Sequence, residues 1–581
     1  MKNYIKYLTI VLAAAFVSVG CAHFDDMNKN PYVVYETNSE SFVQPMIYGA
    51  LKQIAYCEYY VMGELMQWTV NTNFENSAQL TYNYVVSENN VRQMWNLYTQ
   101  FGNAQYMLDL ARKECAVEGE GNPALIGVAL TLRSWIGHML TDTYGNTPYS
   151  KAGQIALQGD SFEYTTPYDD QKDIYYDLLR SMEEANQCFN KAKEMKDAGI
   201  LTSADFNNIC DFMYGGNVEK WQRFANSLYL RLLMRVSNKA LEESAGIISL
   251  GEEFGDLDVI AKINEIYDSY LSGTGDYPVM RNIDDSARLQ FSSKDSALYT
   301  SFYATTSGNW NGQAACSTLV DWMLVKGDND KALYNSADEK NPSKPWDPRY
   351  FRYFTKVYGA PTQVTREEMR EHFDDHISSL GNSTIGRYPK GGYTGTHIGD
   401  LKMDPQYAII NYDEILFIFA EAGARGWIPM AQKDYKNLYL EANRHSILQW
   451  QVGWEKATDY YTAQSEEFIN FINYLDNEFD YNKAVETILR QKYVATFWVG
   501  VEGWADYRRT GYPILKTNGD AAQNNGILPT RLRYPSTEAF QNAKWYNEAV
   551  NGWLGGENNM TTDVWFASTA ESKAIRRLGR Q

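Results

Sequence analysis

Cysteine is scarce: six in 581 residues, at positions 21, 57, 115, 188, 210 and 316. Beyond the N-terminal leader that leaves an odd number, and no Cys-x-x-Cys spacing occurs. This excludes a disulfide framework and a zinc site, and most of these thiols read as small buried hydrophobes. Basic residues are also short. The 53 Lys and Arg face 72 Asp and Glu, for a formal net charge of −19. Phosphate backbones select Lys/Arg surfaces, so nucleic acid is excluded as a partner, and so is electrostatic docking on anionic lipid. After the leader no stretch approaches 18 consecutive apolar residues, so no second membrane span is expected. The catalytic signatures HExxH, GxSxG, GxxxxGK[ST] and GxGxxG after a strand are all missing. Of the six histidines, His372 and His376 are four apart and would share a helix face as metal ligands. Their setting, EEMREHFDDHIS, lacks the glutamate spacing of a zinc protease and reads as a solvated charged helix.

What is present starts with the leader, MKNYIKYLTIVLAAAFVSVGC. Lys2 and Lys6 form a charged start. Residues 8–19 are uncharged, too short to span a bilayer and the right length for a signal-peptide core. Ser18, Val19 and Gly20 place small or slim residues before Cys21, as a lipoprotein signal peptidase requires, although Ser18 stands where many lipoproteins carry Leu. Residues 1–20 therefore read as a lipoprotein signal and Cys21 as the lipidated first residue. The alternative is an ordinary secretory signal that contains a cysteine. Losing the leader removes two lysines and makes the chain more acidic, so acyl chains are the membrane attachment left, and stable anchoring takes more than one. Residues 21–40 are polar and acidic and read as a tether. Residues 41–581 read as one domain.

Tyrosine and tryptophan are abundant, 44 and 15 against 24 Phe. They pair a flat apolar face with a polar handle, which suits sugar-holding surfaces and equally suits a Tyr-rich helical core. Apolar residues at spacings of three and four predict helices over 43–68, 91–113, 123–144, 170–196, 218–237, 408–424, 434–450, 466–479 and 481–507. Small residues at the contacts (Ala104, Ala111, Ala420, Ala422, Ala424) suggest antiparallel hairpins like tetratricopeptide units, though no clean 34-residue period is readable. The expected fold is all-α, a tetratricopeptide-like scaffold. Residues 273–399 are rich in Gly, Ser, Asn, Asp and Pro and predict a loop-rich insertion, the kind of segment where binding residues concentrate.

Several motifs carry a resemblance. ILRQKYVATFWVGVEGWADYRRTGYP, residues 488–513, resembles the C-terminal signature of the SusD/RagB family of nutrient-binding outer-membrane lipoproteins. LPTRLRYPSTEAFQN (528–542), WQRFANSLYLRLLMRVSN (221–238), TDTYGNTPYSKA (141–152) and NYDEILFIFAEA (411–422) match its other segments in order. The resemblance covers nearly the whole mature chain and is weakest over 273–399. It implies a SusD-like fold, a lipid anchor on the outer face of the outer membrane, and a SusC-like TonB-dependent β-barrel as partner. It implies oligosaccharide capture for uptake rather than an enzyme. A peptide-importer role and, more remotely, a helical glycoside hydrolase remain alternatives. Within the signature, Glu502, Asp506 and Arg509 lie on one helix face at ion-pair spacing. The competing reading makes Glu502 and Asp506 an acid–base pair of the glycosidase type.

Candidate ligand contacts are loop aromatics and polar groups. Trp310 stands among Asn309, Asn311 and Gly312 and ranks first. Trp95 follows the polar segment 71–90, in which Asn71 and Asn73 offer amides. Arg387 and Tyr393 bracket a Gly-rich loop, where a guanidinium would hold vicinal hydroxyls. Cys316 follows the Trp310 loop. No cofactor is expected. A structural calcium is left open, because residues 327–332 (GDNDKA) are similar to a calcium loop yet lack EF-hand ligand spacing.

Overall fold

The computed structural model describes residues 37–71, 80–117, 121–154, 157, 165–290, 313–323, 347–349, 361–371, 406–449 and 464–581. Helices dominate. They are α1 (Val43–Cys57), α2 (Glu88–Trp95), α3 (Tyr98–Ala116), α4 (Pro123–Tyr144), α5 (Gln171–Asp197), α6 (Val218–Ser244), α7 (Val259–Ser272) and α8 (Ser317–Met323). The series continues with α9 (Tyr412–Ala424), α10 (Gln432–Gln449), α11 (Glu466–Asn477), α12 (Ala484–Ala495), α13 (Glu502–Thr510), α14 (Ala543–Asn551) and α15 (Ala570–Leu578). Among the described residues there are eight short strands, β1 (Thr69–Asn71), β2 (Thr147–Pro148), β3 (Tyr168–Asp169), β4 (Ile247–Ser249), β5 (Asp256–Asp258), β6 (Ala287–Gln290), β7 (Gln313–Ala315) and β8 (Gln406–Ile410). They pair only in twos: β1–β7, β2–β3, β4–β5 and β6–β8, all antiparallel. The all-α, tetratricopeptide-like expectation holds.

Capping residues set the helix starts. Asn122 accepts from Ala124 N, with Pro123 in the first turn of α4. Asn217 accepts from Lys220 N at α6, and Asp258 from Ile260 and Ala261 N at α7. Each side chain satisfies donors that the helix itself leaves unpaired. Consecutive helices α3 to α6 form antiparallel hairpins. Close approach needs small residues there: a Cβ on Gly127 would stand 2.9 Å from the Phe189 ring of α5. Helix α4 is apolar and long enough to cross a membrane, but 94% of its apolar window is buried, so it is the central helix of the core.

Several boundaries differ from the periodicity. The 91–113 segment is two helices, α2 and α3, separated at Asn96 and Leu97. The 481–507 segment breaks between α12 and α13, where Trp498 and Gly500 take φ of 60° and 61°. Helix α1 passes at Glu58 into a π-helical turn, Glu58–Met62. Residues 406–410, expected partly as helix, are strand β8, because β6 supplies a ladder partner far away in sequence. Such tertiary pairing overrides local propensity. Within the insertion, β6, β7 and α8 give regular structure to parts of a segment expected to be irregular.

The 488–513 signature is wired into an ionic core. Arg231 on α6 donates twice to Glu414 on α9, both at 2.7 Å, and Arg235 meets Glu502 at 2.6 Å. Arg509 donates to both oxygens of Glu421, at 2.9 and 2.7 Å, and to Asp506 at 3.0 Å. Lys492 closes on Asp506 at 2.5 Å. All of these side chains are buried. Burial alone pushes the Asp506 carboxyl up, yet Lys492 and Arg509 outweigh it and hold it well below the usual range. Removing one partner of such a pair leaves an uncompensated buried charge. The network ties α6, α9, α12 and α13 together. It gives Glu502 and Asp506 structural partners rather than an open cleft.

Candidate functional site

Strands β1 and β7 join the start of the domain to the insertion. Thr69 faces Ala315, Val70 faces Ala314 and Asn71 faces Gln313. Cys316 N then donates to Trp68 O at 2.9 Å. Two of the sequence candidates, Asn71 and Cys316, therefore lie at opposite ends of one short ladder, and both are buried. Burial pushes the Cys316 thiol up to about 11. That keeps it a neutral small hydrophobe at neutral pH.

The ladder delivers α8 to the surface of the C-terminal helices. Thr318 at its start donates to Gln67 Oε1 at 2.7 Å. At its end Asp347 N donates to Met323 O at 2.9 Å. Asp347 is clasped by Arg349, at 2.6 Å from Nη2, and Arg349 also reaches Ser446 of α10 and Gln491 of α12. Helix α8 is thus held at both ends. Its Trp322 meets the ring of Tyr493 at 5.2 Å, and Tyr493 meets Trp68 at 5.4 Å, a continuous aromatic chain from the ladder outward.

Beyond Trp322 lies a cavity of about 160 Å³ between α8, α10, α11 and α12. Trp322, Tyr439, Phe471 and Tyr474 supply rings, Arg490 and Gln491 supply donors, and Asp321 and Glu478 supply carboxylates. Trp322 and Tyr474 are half-buried, while Arg490, Asp321 and Glu478 are exposed. Ligand pockets for drug-sized molecules run to roughly 300 Å³ or more, so this one has room for about one ring-sized group. Rings beside paired donors and acceptors suit a group with an apolar face and a polar edge. None of Trp322, Tyr474 and Arg490 stood out in the sequence. Trp322 lies in the apolar run STLVDWM, which reads as core, and its partners come from helices more than a hundred residues further on.

Trp95 is elsewhere. It ends α2 half-buried in an aromatic cluster, with ring centroids 4.9 Å from Tyr98 and Tyr144, 6.1 Å from Tyr534 and 6.4 Å from Tyr168. Tyr168 donates to Glu538 at 2.8 Å, and burial raises that carboxyl. No residue of this cluster lines the α8 cavity. Trp310, Arg387, Tyr393 and Asn73 lie outside the described residues, as do Cys21, His372, His376 and residues 327–332. Among the described residues no group of three or more His, Cys, Asp or Glu could hold a metal ion.

Helix hairpins, small two-stranded clasps and a loop insertion that builds a cavity on the C-terminal helices define a tetratricopeptide-like scaffold. The chain belongs to the SusD-like family: the family model described as "Starch-binding associating with outer membrane" matches residues 30–535. No curated protein matches the chain in sequence. Solved structures match along its length. A SusD homolog from Parabacteroides distasonis is 22% identical, with a TM-score of 0.65, covering 91% of this chain and 98% of its own. A SusD homolog from Bacteroides fragilis is 20% identical at a TM-score of 0.65, covering 92% and 100%. A chitin-binding SusD homolog from Flavobacterium johnsoniae is 20% identical at 0.64, also covering 92% and 100%. At these identities the likeness establishes the fold.

Proposed function

We propose that this chain is a lipid-anchored receptor on the outer face of the outer membrane. It captures an oligosaccharide and delivers it to a SusC-like TonB-dependent β-barrel, making and breaking no covalent bond. The observation that carries this reading is the family match over residues 30–535, whose description names both starch binding and the outer membrane. The chitin-binding relative supports a carbohydrate ligand. The leader ending in Cys21 supports the anchor.

The α8 cavity supports the sugar reading chemically. A pyranose presents a C–H face to Trp322 or Tyr474 and hydroxyls to Arg490, Gln491, Asp321 and Glu478. One sugar–aromatic contact contributes on the order of 1 kcal/mol, so several contacts and the barrel's own surface must share the affinity. Trp322→Ala should weaken binding of the cognate oligosaccharide about tenfold, equivalent to about 1.4 kcal/mol, with a melting temperature close to that of the parent. Unchanged affinity would remove this cavity from the binding path.

A further inference from the structure

Among the described residues, four of the exposed large hydrophobic side chains lie at one end of the helical array. They are Val117, Ile200, Ile209 and Phe212, exposed by 49, 57, 74 and 63%. Helices α3 and α5 end there, and α4 and α6 begin there. Antiparallel contacts fix this arrangement, such as Gly127 against Phe189 and Gln222 against Asn186. Asn122 Nδ2 donates to Ala204 O at 2.7 Å and joins the two loops that close this end.

The loop at residues 198–217 holds Ile209 and Phe212 outward by construction. Asp211 is buried and accepts from Met213 N, Tyr214 N, Gly216 N and Trp221 Nε1. Asp205 accepts from Val218 N, and Asn207 from Ile209 N. Phe206 and Tyr214 pack inward on Trp221. The loop contains no Lys or Arg, and both its carboxylates accept backbone donors. Ile209 and Phe212 stand out from it among the exposed polar side chains of Thr202, Ser203, Asn207 and Asn208, and the loop itself carries no basic charge. Exposed apolar surface of this kind, set on a rigid turn, marks an interaction site.

The N-terminal segment arrives at the same place. Ser39 N donates to Glu114 in the last turns of α3 at 2.8 Å. Glu40 accepts from Asn207 N at 3.2 Å, and Gln44 accepts from Phe212 N at 2.9 Å. Residue 37, where the described chain begins, is sixteen positions after Cys21. That many residues reach at most about 55 Å fully extended. A lipid on Cys21 therefore holds this end within about 55 Å of the bilayer and lets it reach the surface.

We infer that the 198–217 loop is a second membrane attachment: Ile209 and Phe212, flanked by Val117 and Ile200, insert into the surface of the bilayer that holds the acylated Cys21. The inference rests on the lipid-anchor reading above. Insertion of apolar side chains is the mode open to a loop without basic charge, and tethering raises the local concentration so that a weak contact is populated. Two points of attachment would also fix which way up the receptor stands.

The test uses the full acylated protein carrying Cys115→Ser and Cys188→Ser, so that Cys210, between the two inserting residues, is the reactive thiol; Cys57 and Cys316 are buried. Cys210 is labelled with a polarity-sensitive fluorophore and the protein is incorporated into protein-free phosphatidylcholine vesicles. Emission should shift to the blue, and lipids brominated high on the acyl chain should quench it by about half, since inserted apolar groups reach about 5–10 Å into the interface. Ile209→Ser with Phe212→Ser should abolish the quenching while vesicle association and thermal melting persist. Water-like emission from acylated, vesicle-bound protein would overturn the insertion and leave the anchor standing. Quenching that survives the double substitution would overturn it as well. A chain whose Cys21 proves unacylated by mass spectrometry would overturn both readings together.

Discussion

Replacing Glu421 by Gln removes the carboxylate that Arg509 grips with two bonds and Arg425 with a third, at 2.8 Å. Both Glu421 and Arg509 have no exposed surface. Burial pushes the Glu421 carboxyl up, but Arg509 and Arg425 outweigh it and hold it at about 2, against an ordinary 4.5. At about 1.36 kcal/mol per pH unit, that difference corresponds to roughly 3 kcal/mol of stability. Because the folded value is depressed, this stability is fully present above pH 4.5 and is lost as pH falls from 4.5 toward 2. A chain of this length has an unfolding entropy of about 1.1 kcal/mol/K, so Glu421→Gln should lower the melting temperature by about 3 °C at pH 7. The gap between variant and parent should shrink to a small remainder by pH 2, where about half of the folded parent's Glu421 carboxylates are protonated. Circular dichroism melts across pH 2–7 provide the measurement. An unchanged melting temperature at pH 7, or a gap that does not vary with pH, would refute the role assigned to this pair.

Burial raises the Asp413 carboxyl to about 7, so the folded chain retains a proton there that the unfolded chain releases above about 4. That contribution falls as pH rises from 4 to 7, and Asp413→Asn should gain stability relative to the parent over the same interval; a parallel pH profile for the two proteins would count against it. Gly145→Ala places a Cβ at φ 83° and 2.0 Å from the Trp553 ring, and should cost about 2–4 kcal/mol in chemical denaturation. A cost under about 0.5 kcal/mol, the usual size of a harmless surface change, would show that the tail segment carrying Trp553 yields easily. Trp310→Ala should weaken oligosaccharide binding in calorimetry with little change in melting temperature, and unaltered affinity would remove Trp310 from the site.

The long buried helices were legible because their signals are local. Asn122 and Pro123 announce α4, and Gly145 ends it. The signature at 488–513 announced the family, and its Asp506–Arg509 spacing announced one ion pair that the fold indeed makes. The partners of Glu502 and Arg509 on α6 and α9 were not legible, since nothing local links positions 235 and 502 or 421 and 509. The break at Trp498 was hidden for a related reason: a tryptophan at positive φ is held there by surrounding packing, not by its own preference. The α8 cavity was hidden most completely. Trp322 looks like core in its own segment and becomes a cavity wall only when β1 and β7 pair and α10 to α12 fold beneath it.

The central claim is that this SusD-like chain binds oligosaccharide without transforming it. Calorimetric titration of the soluble form lacking residues 1–21 against a panel of starch, fructan, chitin, host-glycan and plant-cell-wall oligosaccharides tests it most directly, with reducing ends assayed in the recovered samples. The account predicts saturable binding to at least one class, weakened by Trp322→Ala, with the ligand recovered intact. Failure to bind any of the panel, or the appearance of new reducing ends, would contradict it.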